Sequence, residues 1–307
     1  MEHTSVLLWE VLDVMRPHSG GRYFDGTLGG GGHARAILEA SSPGGELTGC
    51  DLDHEAVSRL KESLALYGTR SHLFCANYTE IDRLCSQLGW EHIDGVILDL
   101  GMSSLELDDA ERGFSFSTEG PLDMRYNQDQ KLDACAVVNT YDEDTLGRII
   151  SIYGEERFAR RIARRIVESR PIATTKALAA IISAAIPRRL WPKRIHPATK
   201  TFQAIRMEVN SELDNLKDFL TKAAALLSKD GVMAIISFHS LEDRIVKQFF
   251  AGTSTALLSR RGLPMPQETP AVIFTRITKK PVMASLEEIR ANPRARSARL
   301  RAARRMS

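Results

Sequence analysis

The stretch Phe24-Asp25-Gly26-Thr27-Leu28-Gly29-Gly30-Gly31-Gly32-His33 decides the fold class of this chain. A short aromatic run that begins at Arg22 ends at an acid, a glycine loop follows, and a helical sequence starts at His33. Glycine permits positive φ and lets a ligand approach the backbone, and a helix N-terminus offers unpaired N–H groups. The stretch therefore predicts a strand, a binding loop and a helix, as in a doubly wound α/β fold.

Three more strand-like runs carry polar residues at or just after their ends. Residues 46–51 follow the first helix, residues 72–75 come before a tyrosine, and residues 94–99 form a short apolar run that ends in an acid. In an open α/β sheet the ligand lies across the carboxyl ends of the strands. Four side chains are therefore predicted to meet at one edge as cofactor contacts: Asp25, Asp51, Tyr78 and Asp99.

The glycine loop distinguishes between classes of nucleotide cofactor. It lacks the G-x-G-x-x-G spacing of dinucleotide folds, and Asp25 at its start would repel a pyrophosphate. A carboxylate there suits a ligand with a cationic amino-acid end, which S-adenosylmethionine has together with a ribose and an adenine. We therefore expect a methyl-donor site; a nicotinamide dehydrogenase and a flexible glycine linker are the disfavoured alternatives.

Composition narrows the cellular setting. The chain has 307 residues, a formal net charge of +2 and four cysteines. The cysteines form no C-x-x-C pair and no disulfide-rich spacing, so reduced thiols and a cytoplasmic location are predicted. No metal site is predicted, and no apolar run is long enough to cross a bilayer. The first residues lack the pattern of a secretory signal.

After Asp99 the alternation of strands and helices stops. Residues 107–131 are polar and irregular, and helices are predicted over residues 142–153, 155–169 and 175–186. A long helix over residues 201–228 and a strand over residues 232–237 then resume the pattern. This order predicts a first core segment (1–105), an inserted all-α substrate-recognition domain (106–209) and a second core segment with a basic tail (210–307). We expect the insert to stand over the cofactor cleft.

Arginines are concentrated in residues 157–170, 188–194 and 290–305. The second cluster also contains Trp191, and basic patches with aromatic residues are typical of nucleic-acid surfaces. The C-terminal cluster has little apolar content, so it is interpreted as a disordered tail or an arm that orders on RNA. A solvated helix face is the alternative interpretation of the first cluster.

Longer strings give a more specific signal than any of these features alone. Taken in order, they resemble the small-subunit ribosomal RNA cytidine N4-methyltransferases, the family called RsmH or MraW. The matching strings run nearly from end to end: residues 3–8, 25–33, 98–104, 107–116, 120–125, 201–206, 237–244 and 292–297.

The resemblance implies a Rossmann-like class I methyltransferase core that uses S-adenosylmethionine. It implies that the acceptor is the exocyclic N4 of a cytidine in the decoding region of 16S rRNA, within the small ribosomal subunit. Monomer and homodimer both remain open. The implied cofactor contacts are Gly31, Gly32, His33, Asp51, Tyr78, Asp99 and, where the family usually has Gln or His, Glu106.

Four residues are predicted to line the acceptor side: Ser103, Ser104, His239 and Ser240. His239 follows a predicted strand, so a structural hydrogen bond at the strand end is its alternative role. Attack by N4 requires no cysteine nucleophile. A small-molecule methyltransferase, a DNA methyltransferase and an RNA-binding protein with a vestigial cofactor pocket are the rival functions.

Overall fold

The computed structural model describes residues 5–102, 107–252 and 274–306. The chain divides into two compact units. The first consists of Met1–Gly101 and Asp214–Ser307, and the second of Met102–Leu213. No helix among the described residues is long and apolar enough to span a bilayer.

A twisted sheet forms the centre of the first unit. Its strands are β1 (Arg22–Asp25), β2 (Glu46–Asp51), β3 (Ser71–Cys75), β4 (Ile93–Asp99), β5 (Leu227–Ser237), β6 (Phe274–Arg276) and β7 (Arg299–Arg305). Their order across the sheet is β3-β2-β1-β4-β5-β7-β6. The first five pair in parallel, and β7 pairs antiparallel with β5 and β6. This is the predicted α/β fold with a Rossmann-like core.

Helices connect the parallel strands and make up most of the second unit. They are α1 (Leu8–Met15), α2 (Gly32–Ala40), α3 (His54–Ser63), α4 (Ile81–Gln87), α5 (Ala134–Thr140), α6 (Glu143–Gly154), α7 (Ala159–Glu168), α8 (Thr175–Ala185), α9 (Thr199–Val209), α10 (Glu212–Leu226), α11 (Ser240–Gly252) and α12 (Leu286–Ala291).

Helices cover both faces of the sheet, so its central strands are buried on both sides. Alternate residues of β4 enter different cores: Val96 and Leu98 pack with α4, α10 and α11, and Ile97 packs with α1, α2 and α3. This explains why residues 94–99 form an apolar run rather than an alternating one. The carboxyl ends of the parallel strands are left as the edge at which a ligand can bind.

The prediction of a disordered or RNA-ordered C-terminal segment is wrong. Residues 293–297 form a short 3-10 helix, and the arginine-rich residues that follow are strand β7, an inner strand of the sheet. Leu300, Ala302 and Ala303 are fully buried, and the Arg301 guanidinium makes two bonds to the Asp243 carboxylate. Small apolar residues between the arginines make an inner strand possible.

The second unit is mainly helical and contains α5 to α9. The helix predicted over residues 155–169 corresponds to α7, whose Ile162 and Ile166 are fully buried in the core of this unit. The irregular residues 107–131 are held by side-chain bonds to backbone. The Arg125 guanidinium binds the Asp123 carboxylate and the carbonyls of Gln128 and Gln130. The loop is therefore held by partly buried polar contacts rather than by regular elements.

The long helix predicted over residues 201–228 is two helices, α9 and α10. The break falls at Ser211, which has φ 50. Just before it, the Asn210 side chain donates to the Met124 carbonyl and accepts from the Tyr126 N–H. These bonds to the irregular loop hold Asn210 at the helix end, and apolar periodicity in the sequence cannot reveal them. Strand β5 also starts earlier than predicted, at Leu227.

Candidate functional site

Three acids end three adjacent parallel strands of the first unit. Asp25, Asp51 and Asp99 are the last residues of β1, β2 and β4. In the sheet register Asp25 lies beside Gly49 on β2 and Ile97 on β4. The other two acids therefore extend two residues past it on either side. The sheet brings the three predicted carboxyl groups to one edge.

These carboxyl groups also shape the glycine loop. The Asp25 Oδ1 accepts a hydrogen bond from the Thr27 N–H at 3.1 Å, and the Asp51 Oδ2 accepts one from the Gly29 N–H at 2.8 Å. The Asp99 N–H donates to the Thr27 hydroxyl oxygen at 2.6 Å. This role of Thr27 was not predicted from the sequence: its hydroxyl group connects the loop after β1 to the end of β4. The sequence did contain a signal for this role, because a residue with a hydroxyl group stands two positions after the acid that ends the strand.

Burial makes the site electrostatically unusual. It raises the pKa of Asp25 to about 7, with the nearby Asp51 adding to the rise and the Thr27 N–H opposing it. Burial also raises the pKa of Asp51, against bonds from the Asp53 and Gly29 N–H groups. It raises the pKa of Asp99 well above its ordinary value, and Asp25 contributes. A cluster of desolvated carboxyl groups favours protonation or a bound cation.

Two carboxyl oxygens have unmet hydrogen-bonding capacity. Asp25 Oδ2 and Asp99 Oδ1 are buried and have no hydrogen-bond partner among the described residues. Buried polar atoms are ordinarily paired, so these oxygens mark where a polar ligand belongs. A ligand with a cationic amino-acid end and a ribose diol offers the charge and the donors that these carboxyl groups lack. The residues present therefore fit S-adenosylmethionine.

Two glycines keep the loop close to its neighbours. A Cβ on Gly26 would lie 2.4 Å from Leu98 Cδ2 and 2.8 Å from Tyr78 Cβ. Gly31 has φ +75, and a Cβ there would lie 2.3 Å from Leu60 Cδ2. No other residue would keep this backbone course without movement of those neighbours. The loop thus depends on glycine for close packing as well as for ligand access.

The predicted contacts Gly31, Gly32 and His33 form the start of α2, where Gly31 is the N-cap. The first N–H groups of a helix have no partner within it, which makes them suitable for a ligand. The His33 side chain is buried, and its Nε2 lies 3.0 Å from the Val6 carbonyl. Its Nδ1 lies 3.9 Å from Asp99 Oδ2. The imidazole therefore lies between the Val6 carbonyl and the Asp99 carboxyl group, and the contact of His33 with the cofactor stays a prediction.

Tyr78 lies just after the end of β3, as predicted, in the 3-10 helix Tyr78–Glu80. Its ring packs edge-to-face on Phe219 with centroids 5.3 Å apart. The half-buried ring thus has a fixed orientation beside Gly26. A stacking role against a purine stays a prediction.

The residues predicted for the acceptor side are only partly described. Ser103, Ser104 and Glu106 lie outside the described residues. His239 and Ser240 follow β5, as expected, and Ser240 begins α11. They are at the carboxyl end of a parallel strand, the same end as the three acids.

Glu242 explains the orientation of His239. The Glu242 N–H donates to His239 Nδ1 at 3.3 Å, and His239 Nε2 lies 3.1 Å from Glu242 Oε1, outside hydrogen-bond geometry. Glu242 Oε2 accepts from the N–H groups of Phe238 and His239. This buried glutamate was not identified from the sequence, although an acid three residues after the residue that precedes a helix is a capping signal. The contacts favour the structural alternative for His239, and its role in the reaction stays a prediction.

Comparisons with known proteins agree with this geometry. The sequence profile of the MraW methylase family matches residues 1–306. The ribosomal RNA small subunit methyltransferase H of Syntrophotalea carbinolica is 49% identical over 310 residues, which cover 99% of this chain and 98% of that one. The protein of the same name from Geobacter sulfurreducens is 49% identical, covering 98% of each.

A solved rRNA methylase from Streptococcus thermophilus aligns with a TM-score of 0.43 at 10% identity, covering 98% of this chain and 94% of that one. At that score it adds nothing to the assignment, which rests on the sequence matches. With a profile that spans almost the whole chain and relatives near half identity, the resemblance predicted from the sequence is confirmed: the chain belongs to the MraW methylase family and is an S-adenosylmethionine-dependent methyltransferase.

Proposed function

We propose that this protein methylates the exocyclic N4 of a cytidine in the decoding region of 16S rRNA. The geometry that supports the reaction class is the edge where Asp25 and Asp99 hold buried carboxyl oxygens without partners among the described residues. The support for the acceptor is the name of the relatives, which methylate small-subunit ribosomal RNA. The N4 position and the decoding region come from the family resemblance.

The cofactor supplies an activated methyl group bonded to a cationic sulfur. We expect Asp25 and Asp99 to face its cationic end, Asp51 to accept from its ribose, and the N-terminus of α2 to bind its polar groups. Tyr78 is proposed to contact the adenine. With the donor already activated, the main task of these residues is alignment of the methyl carbon with the acceptor nitrogen.

The acceptor nitrogen is a poor nucleophile because its lone pair is delocalised into the cytosine ring. A group that accepts hydrogen bonds from N4 would favour a pyramidal nitrogen, and so would stabilise the transition state more than the ground state. Ser103, Ser104, His239 and Ser240 remain the candidates for that side of the site, and Glu106 remains a candidate cofactor contact. The target base must leave its stack to reach the methyl group.

The substrate is proposed to be 16S rRNA within the small ribosomal subunit, in the cytoplasm. The helical unit of residues 102–213 is proposed as the substrate-recognition domain. The rivals are an RNA-binding protein with a vestigial pocket and a methyltransferase for another nucleic acid. The intact acids and glycine loop argue against the first rival, because a pocket without function would not need unsatisfied buried carboxyl groups.

One experiment tests the proposal and both rivals. The protein is incubated with isotopically labelled S-adenosylmethionine and either small-subunit particles, free 16S rRNA or DNA, and the product is mapped by mass spectrometry. We expect one labelled cytidine, with the label on N4, in the small-subunit RNA. The Asp99→Asn variant is the control for background transfer. Label on a ring carbon, label only in DNA, or no label despite measurable cofactor binding would each overturn the proposal.

A further inference from the structure

One segment of the second unit, residues 155–200, carries an excess of positive charge. Residues 155–200 contain twelve Lys and Arg residues and three Glu residues, whereas the whole chain has a net charge of +2. One sign of charge over so short a segment attracts polyanions and raises their rate of association. The following inference rests on the proposed function, because it concerns how the same RNA is held.

The structure joins two basic clusters that are separate in the sequence. Arg157, just before α7, donates through Nη2 to the Leu190 carbonyl at 3.4 Å. Leu190 ends the 3-10 helix Arg188–Leu190. The Arg157 guanidinium also stacks over the Phe158 ring, 4.7 Å from its centroid. The arginines of α7 and those after α8 therefore belong to one continuous surface.

Many cations of this surface are exposed and have little competing charge. Arg164 and Arg165 pair with Glu143 and Glu168, but the four side chains are between 42% and 67% exposed, and such pairs are weak in water. Arg160 and Arg161 have no ion pair within the described part of the chain. The exposed basic residues of the surface are Arg157, Arg160, Arg161, Arg164, Arg165, Arg188, Arg189, Lys193 and Arg194.

A fixed group of aromatic rings lies beside these cations. The exposed His196 ring packs on Phe116 with centroids 4.7 Å apart and planes tilted by 36°. Phe116 packs edge-on against Phe202, which is in the core. His196 Nδ1 accepts from the Ala198 N–H at 3.2 Å, which fixes the ring further. An exposed ring thus has a buried support and one orientation.

Trp191 adds a second ring to this group. Its Nε1–H donates to the Ile186 carbonyl at 2.9 Å, and its centroid is 6.5 Å from that of His196. The Arg188 guanidinium lies over the Trp191 ring at 5.7 Å. Planar groups that alternate with cations in this way suit a chain of flat bases joined by phosphates. A protein surface or a lipid headgroup would use the cations but not the ordered rings.

We propose that this basic–aromatic face of the second unit, formed by residues 157–165 and 188–196 with Phe116, binds an unpaired, single-stranded segment of the substrate RNA. One unpaired base stacks on the His196 ring, and Arg157 and Arg188 contact the flanking phosphates. Stacking requires splayed bases, whereas the base faces of an A-form duplex are covered. The face therefore selects unpaired RNA over duplex RNA.

The test uses the full-length protein saturated with S-adenosylhomocysteine and a fluorescent single-stranded RNA of decoding-region sequence. We expect His196→Ala to weaken binding about tenfold with little change in salt dependence, because stacking is lost but no phosphate contact is. His196→Trp retains a stacking ring and should bind nearly as wild type does. Arg157→Gln should weaken binding about threefold and reduce the salt slope by about 0.7.

The matched control is Arg59→Gln on α3 of the first unit, where Arg59 is 55% exposed and pairs with Glu55. It should leave RNA binding unchanged. Each variant is checked for wild-type melting temperature and cofactor affinity, so that a folding defect is recognised. If His196→Ala and Arg157→Gln bind RNA as the wild type does, while the wild type methylates it, the proposed face is wrong. If the wild type neither binds nor methylates RNA, the proposed function itself fails.

Discussion

The carboxyl edge of the first unit and the basic–aromatic face of the second unit differ in the sign and the depth of their charge. Asp25 is 1% exposed, and burial raises its pKa to about 7. The Arg164 side chain is 67% exposed. Water screens the charges of the arginines, so each one interacts only weakly with a charged partner. A desolvated carboxyl group interacts more strongly with a bound polar or cationic ligand.

Because of this difference, the two regions should respond differently to single substitutions. A few buried carboxyl groups bind one small ligand, so a single substitution should have a large effect. Many exposed cations share one polyanion, so a single substitution should have a small effect that salt modulates. Four measurements, in order of decreasing expected effect, distinguish the two regions.

Asp25→Asn should separate binding from stability. We expect the affinity for S-adenosylmethionine at about pH 8 to fall by about 100-fold or more, because a buried charge that faces a cationic ligand is lost. The ligand-free variant should be more stable by about 1–4 kcal/mol at that pH, because an ionised Asp25 opposes folding there. Calorimetry measures the affinity and denaturant unfolding measures the stability.

The control for Asp25→Asn is Asp133→Asn at the N-cap of α5 in the second unit, where the carboxylate accepts from the Ala136 N–H group. Asparagine caps a helix as well as aspartate does, so neither quantity should change. An Asp25→Asn protein with unchanged affinity would remove Asp25 from the site.

Gly31→Ala should damage the loop more than Gly29→Ala does. Both glycines have positive φ, but a Cβ on Gly31 would lie 2.3 Å from Leu60, and one on Gly29 has no neighbour within 4 Å. We expect a loss of about 2–3 kcal/mol in unfolding free energy for Gly31→Ala and about 1 kcal/mol for Gly29→Ala. Equal losses in thermal or denaturant unfolding would contradict the packing argument.

Cofactor binding should depend on pH through Asp25. Its pKa of about 7 in the free protein means that a proton must leave below that pH before a cation can bind. The affinity should therefore rise by up to about tenfold per pH unit as the pH approaches about 7, and level off above it. Titration calorimetry in two buffers of different ionisation enthalpy would detect the released proton. Asp25→Asn should flatten this dependence, and a persistent slope would assign the proton to another group.

Arg161→Gln should have the smallest effect. Arg161 is exposed and has no ion pair within the described ranges, so it represents the shared charge of the face. Affinity for single-stranded RNA should fall only about twofold, and the difference should vanish at high salt. Fluorescence anisotropy over a salt series measures both. If Arg161→Gln lowered the affinity for RNA as much as Asp25→Asn lowers the affinity for S-adenosylmethionine, the contrast between the two regions would be wrong.

Much of the core and of the candidate cofactor site could be predicted because their signals are local. The acids at 25, 51 and 99 follow apolar runs, and parallel strands place such ends at one edge. Thr27 was missed because its role depends on a bond to Asp99, far along the chain. Glu242 was missed although its bonds to the N–H groups just before α11 follow a local capping pattern. The C-terminal strand was missed because strand pairing, rather than apolar content, holds it in the sheet.

Residue types at short spacing were enough to predict the first five strands, the glycine loop and the family, because each of these has a local pattern. The packed structure was needed to establish which carboxyl oxygens lack a partner among the described residues, how far burial raises the pKa of Asp25, and that Arg157 joins two basic clusters. Desolvation and contact between distant residues arise only once the chain is packed, and no local pattern encodes them.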